Sequence, residues 1–144
     1  MWHEQKILVI QPGSDAEALR SGIEMVRSQL PSSRIVVLCA TRLSRVAISI
    51  AAVDQVLVHC AMSETGLSDV PERLLSLIEL LKAEQFDKAI VLPYEQRSPY
   101  PFAYVCYFAE IPVRIGMSCE FGGGALSACG SSVEELLSRV QEAA

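Results

Sequence analysis

The chain has 144 residues, 51% of them hydrophobic and 20% charged, with a formal net charge of −5. That length can bury a proper core in one domain of compact, water-soluble α/β type, and the acidic balance argues against nucleic acid as a partner, which would need clustered Lys and Arg. No apolar run approaches the roughly 20 residues that span a bilayer, and the opening Met-Trp-His-Glu-Gln-Lys lacks a signal-peptide pattern; no integral membrane segment is expected, and a cytoplasmic location is.

The first element is the run Lys6–Gln11, whose Ile7-Leu8-Val9-Ile10 core reads as a strand buried on both faces. Pro12-Gly13-Ser14-Asp15 turns the chain, and Ser14 or Asp15 is a good N-cap for the next helix. Ala16–Leu30 has Ala16, Leu19, Ile23, Val26 and Leu30 at helical spacing. Arg34–Cys39 is a second buried strand. Thr41 can cap a second helix from Arg42 to about Ala52. Val53–His59 is a third strand whose polar residues suit a sheet edge, and Cys60–Asp69 reads as a loop.

Asp69 and Pro71 start an amphipathic helix, Glu72–Glu84. Phe86–Leu92 is the fourth strand. Ser98-Pro99 opens an aromatic-rich helix reaching Ala109, whose Tyr100, Phe102, Tyr104, Tyr107 and Phe108 read as packing rather than as a base-stacking platform. Pro112–Met117 is the fifth strand. Gly122-Gly123-Gly124 reads as a mobile connection, and Ser131 or Ser132 starts a final helix ending at Ala144. The alternation predicts a three-layer, Rossmann-like α/β domain over residues 1–144. Its five parallel strands are expected in the doubly wound order 3-2-1-4-5, with helices on both faces. The order reverses between the first and fourth strands. Three loops meet there: Gln11–Asp15, Pro93–Ser98 and the stretch after Met117.

The chemistry-bearing residues are few. The turn after the first strand lacks both GxGxxG and GK[ST] spacing, so no NAD or ATP site and no cofactor is expected. The cysteines at 39, 60, 106, 119 and 129 form no CxxC pair, so no metal is expected either. Most of them read as small buried hydrophobes. His59-Cys60 has the composition of a base and nucleophile, but strand neighbours point to opposite faces. Asp15 has two readings: a helix-capping carboxylate, or a general base at the switch-point cleft. Tyr94-Glu95-Gln96-Arg97 is a polar cluster opposite it, fit for a loop or for substrate contact.

Several of these segments together resemble the amino-terminal half of family 9 glycosyltransferases, the lipopolysaccharide heptosyltransferase group. The resemblance runs over residues 6–118: KILVI and a loop ending in Asp15, a helix closing on Leu30-Pro31, and Arg34–Leu38. It continues through Val53-Asp54-Gln55-Val56, the leucine-rich helix, Phe86-Asp87-Lys88-Ala89-Ile90, Arg97-Ser98 and Arg114-Ile115-Gly116. It implies one half of a GT-B architecture, in which this half receives the acceptor and the other binds the nucleotide sugar. In that family an aspartate after the first strand is the base on the acceptor hydroxyl, which implies Asp15 here. Gly13, Ser14, Glu95, Arg97 and Arg114 become the expected acceptor contacts.

The departures are specific. Ser14 stands where the family has Gly, in a shorter loop. Ser21-Gly22 replaces a proline, and Val91 and Pro93 replace an Asp and a Gln. The nucleotide-sugar domain is expected to be absent from these residues. Three readings stand side by side: the acceptor half of a glycosyltransferase for a sugar or glycolipid acceptor, inactive alone; a binding or assembly module, with a homodimer covering the cleft; or a small flavodoxin-like enzyme.

Overall fold

A computed structural model describes residues 4–63, 66–92, 100–117 and 128–130. Its main sheet begins with β1 (Lys6–Ile10), β2 (Arg34–Leu38) and β3 (Gln55–Leu57), and continues with β6 (Lys88–Val91), β7 (Val113–Met117) and β8 (Ala128–Gly130). The spatial order is β3-β2-β1-β6-β7-β8, and every pairing is parallel. The five expected strands thus stand in the expected order, with β3 at the edge. A sixth strand, β8, extends the sheet beyond β7. The expected loop after β3 contains a short antiparallel pair, β4 (Met62–Ser63) with β5 (Gly66–Leu67).

Among the described residues, four helices cover the sheet: α1 (Ala16–Gln29), α2 (Thr41–Ser49), α3 (Pro71–Glu84) and α4 (Tyr100–Phe108). Strand side chains alternate between faces, and the two cores obey that alternation. Ile7, Val9, Ile35, Val37 and Ile90 pack with Leu19, Ile23 and Val26 of α1 and with Leu43 and Ala47 of α2. Leu8, Ile10, Val36, Leu38 and Ala89 pack with Leu77 and Leu81 of α3 and with Phe102 and Cys106 of α4. Burying each Val, Leu, Ile or Phe side chain among these stabilises the fold by about 1.5–3 kcal/mol.

Two helix starts differ from expectation. Thr41 is the first residue of α2, not its cap; Ala40 holds the N-cap position with no side-chain bond. Pro71 begins α3, as expected from its missing N–H, but Val70 rather than Asp69 sits at the cap. The final helix from 131, and the glycine stretch at 122–124, lie outside the described residues.

The amino-terminal edge of the sheet is fastened by two matching clasps. Asp54, just before β3, donates its N–H to the Ile35 carbonyl at 2.9 Å, and its Oδ2 accepts the Ile35 N–H at 2.8 Å. Asp87, just before β6, donates its N–H to the Lys6 carbonyl at 2.8 Å, and its Oδ2 accepts the Lys6 N–H at 2.8 Å. Arg27 adds a bond to the Asp54 carboxylate at 3.0 Å and another to the Ala52 carbonyl at 2.7 Å. Lys88 is 2% exposed. Its ammonium donates to Gln5 Oε1 at 2.7 Å, and burial lowers its pKa from the ordinary 10.5 against the raising effect of Asp87.

Candidate functional site

The chain runs outward from β1 to β3, then returns to β6 on the other side of β1. The order therefore reverses between β1 and β6. In doubly wound sheets this reversal opens a crevice at the carboxyl ends of the strands. The loop 11–15 leaves β1 at that edge. On the neighbouring helix, Gly22 comes so close to Leu92 that a Cβ there would lie 2.9 Å from Leu92 Cδ2. Position 22 thus lets α1 close on the end of β6, beside the same crevice.

The loop is held from inside by Gln11, which is 1% exposed. Its backbone N–H extends the pairing with β2, donating to the Leu38 carbonyl at 3.0 Å. Its side chain turns back along the loop. Oε1 accepts the Gly13 N–H at 3.2 Å, and Nε2 donates to the Asp15 carbonyl at 3.2 Å. Gly13 is buried, whereas Ser14 and Asp15 are exposed. Asp15 occupies the N-cap of α1 with extended backbone, and its Oδ1 accepts the Ala18 N–H at 3.1 Å. Its carbonyl also accepts the Leu19 N–H at 3.2 Å. No described residue bonds its other carboxylate oxygen. The capping reading of Asp15 is therefore observed directly, and it leaves the second carboxylate oxygen of this exposed residue without a described partner.

The structure brings Gly13, Ser14 and Asp15 together at that edge but does not bring Arg114 to them. Arg114 is the second residue of β7, and its guanidinium turns towards the amino-terminal edge. It donates to the Ile111 carbonyl at 2.7 Å and lies 5.2 Å from the centre of the Tyr107 ring. Parallel strands put β7's start, and with it this Arg114 bond, at the edge opposite the loop. Glu95 and Arg97 lie outside the described residues. Two open cavities of about 420 Å³ each also lie at the amino-terminal edge, one beside Tyr107 and Arg114, the other beside Lys82 and Phe86. Neither adjoins Asp15.

His59 comes after β3. Its Nδ1 accepts the Ala61 N–H at 3.0 Å, so the neutral ring carries its proton on Nε2, 3.1 Å from Ser76 Oγ, to which it donates. Cys60 Sγ stands 3.9 Å from that already engaged Nδ1, which leaves no base for it. Cys39 and Cys106 are buried, and burial pushes their thiols up to about 11 and about 12. The aromatic helix divides. Phe102 is core, but Tyr104, Tyr107 and Phe108 are 50%, 54% and 60% exposed, contrary to the packing expectation. Among the described residues no three His, Cys, Asp or Glu side chains group as metal ligands, and no helix is long and apolar enough to cross a membrane.

Fold and loop geometry together define a Rossmann-like α/β domain with the Asp15 turn at its switch point. No family model matches the sequence, and no curated protein matches it. Among solved structures the chain is similar to the ADP-heptose lipopolysaccharide heptosyltransferase II of E. coli. The TM-score is 0.69 at 23% identity, over 91% of this chain and 36% of that one. It is also similar to a glycosyl transferase family 9 protein from Veillonella parvula, with a TM-score of 0.62 at 16% identity, over 96% of this chain and 41% of that one. The fold is thus shared with one domain-sized part of these two transferases, and the chain spans well under half the length of either.

Proposed function

We propose that the chain is the acceptor-side half of a family 9-like glycosyltransferase, acting on a lipopolysaccharide- or cell-surface-glycan-type acceptor and inactive alone. The observation that carries this reading is the exposed Asp15 carboxylate, one oxygen of it bonded to no described residue, on a fixed loop at the switch point in a fold shared with one part of heptosyltransferase II. In the reaction, the acceptor hydroxyl oxygen attacks the anomeric carbon of a nucleotide sugar. The bond from that carbon to the diphosphate oxygen breaks, and its electron pair leaves with the nucleoside diphosphate. Asp15 takes the hydroxyl proton. Gly13 and Ser14 shape the acceptor's seat, and Glu95 and Arg97 are its further proposed contacts, since a guanidinium suits an anionic sugar. The donor comes from a nucleotide-sugar-binding domain, the proposed partner. Calorimetric titration with delipidated lipopolysaccharide core oligosaccharide tests this: saturable binding that weakens when Ser14 and Asp15 are both replaced by Ala supports it, and no heat of binding to the parent chain overturns it.

A second reading, a non-catalytic binding or assembly module, draws on one observation. Tyr104, Tyr107 and Phe108 expose an apolar face on α4, of the kind that marks interaction surfaces. Light scattering decides for it if the chain is a dimer that Phe108→Glu makes monomeric, and against it if the chain is a monomer throughout.

A further inference from the structure

We propose that Gln11 is a positioning residue for Asp15: its buried amide fixes the loop so that Asp15 spends one carboxylate oxygen on the helix and presents the other to an acceptor hydroxyl. This rests on the acceptor-side reading and adds a residue to it.

Gln11 directly succeeds the four buried residues Ile7–Ile10, at a place where an apolar side chain would continue the core. A polar group so buried must be bonded or it costs about 1–3 kcal/mol. Gln11 meets that demand with one donor and one acceptor, both spent on the loop. The amide orientation is fixed by its partners. Gly13 offers only an N–H and Asp15 only a carbonyl oxygen, so turning the amide over would set donor against donor and acceptor against acceptor. The side chain therefore acts as a strut across the turn, from its buried start to the helix cap.

The strut ends on the residue that matters. The Asp15 carbonyl accepts both Gln11 Nε2 and the Leu19 N–H, so its peptide plane is held from the core side and from the helix side. With that plane set, Oδ1 reaches the Ala18 N–H, and the remaining oxygen of the exposed residue bonds no described residue. An ordinary cap needs only the helix contacts. The second tie, from the core, fixes the direction of the carboxylate relative to the sheet edge, and orientation is what a general base requires.

The test uses the full chain with two replacements. Gln11→Leu keeps the volume and removes both bonds. Gln11→Glu keeps an acceptor for Gly13 and removes the donor to Asp15. The readouts are the Asp15 carboxyl carbon chemical shift, hydrogen exchange at the Ala18 amide, and affinity for delipidated lipopolysaccharide core oligosaccharide. The expected result is a moved Asp15 signal and about tenfold faster Ala18 exchange in both variants, with sheet amides in β1 and β6 unchanged. Affinity falls about tenfold as well, and adding Asp15→Ala to either variant lowers it no further. An unmoved Asp15 signal with unchanged Ala18 exchange overturns the proposal. So does affinity lost in Asp15→Ala but kept in both Gln11 variants. A parent chain that binds no oligosaccharide overturns the acceptor-side reading instead, while the two spectroscopic readouts still decide whether Gln11 positions Asp15.

Discussion

Asp87 and Lys6 hold each other by the backbone in both directions: the Asp87 N–H donates to the Lys6 carbonyl at 2.8 Å, and Asp87 Oδ2 accepts the Lys6 N–H at 2.8 Å. Asp54 and Ile35 repeat the pattern one strand pair over. Each aspartate begins a strand by completing the ladder with its side chain where the backbone alone would leave an N–H unpaired. Asp87→Ala should therefore lower stability by about 1–3 kcal/mol, and Asp54→Ala by a similar amount, since it also removes the Arg27 ion pair. Urea unfolding measures both; an unchanged midpoint for either would contradict the clasp.

These two aspartates also show what the sequence made legible. Val53-Asp54-Gln55-Val56 and Phe86-Asp87-Lys88-Ala89-Ile90 were readable as strand starts and as points of family resemblance, but not as clasps. That role needs the neighbouring strand in register, which only the fold supplies. The parallel sheet itself was legible because wholly apolar runs alternate with helical periods. The β4–β5 pair and β8 were not, because these two- and three-residue strands, unlike β3 within Val53–His59, sit in no longer apolar run. Gln11 left one trace, a polar residue continuing a buried run, whose meaning depends on the loop folding back over it. Arg114 was readable as a motif position, which does not tell which sheet edge its long side chain reaches.

Gly22 is a packing position. Ala is the better helix former by about 1 kcal/mol, yet its Cβ would meet Leu92 at 2.9 Å, and overpacking costs about 1–3 kcal/mol. Gly22→Ala sets that helix gain against displacing the end of the Leu92 side chain, and Leu92→Val in the same chain should remove the clash so that the pair is more stable than Leu92→Val alone. Additive effects of the two changes in thermal unfolding would contradict the close approach.

Asp15 does two jobs that substitution can separate. Asn caps a helix as well as Asp does, so Asp15→Asn should change stability by less than about 0.5 kcal/mol, whereas Asp15→Ala should cost about 1 kcal/mol. Asn accepts no proton. When the chain is joined to a nucleotide-sugar-binding half, Asp15→Asn should slow sugar transfer by about a hundredfold or more. A transfer rate equal to the parent's would leave Asp15 a cap alone.

The buried thiols set an alkaline limit. In the unfolded chain they ionise near 9.0, but in the fold only near 11 for Cys39 and near 12 for Cys106. Between those values the unfolded state holds fewer protons, so stability falls as pH rises. The contribution is fully present below about pH 9 and lost through pH 11 to 12. Lys88, with its lowered pKa, acts with opposite sign below 10.5, so the parent is compared with a variant. Cys106→Ala should show a shallower alkaline loss of melting temperature than the parent, and equal slopes would contradict the assignment. At pH 8, alkylation mapped by mass spectrometry should label exposed Cys60 far faster than Cys39 or Cys106.

The most direct test of the acceptor-side reading is to map where delipidated lipopolysaccharide core oligosaccharide perturbs the amide spectrum of the isotope-labelled chain. The account predicts shifts centred on Gly13, Ser14, Asp15 and Ala16. Shifts centred instead on Tyr104, Tyr107 and Phe108, or no shifts at saturating oligosaccharide, would contradict it.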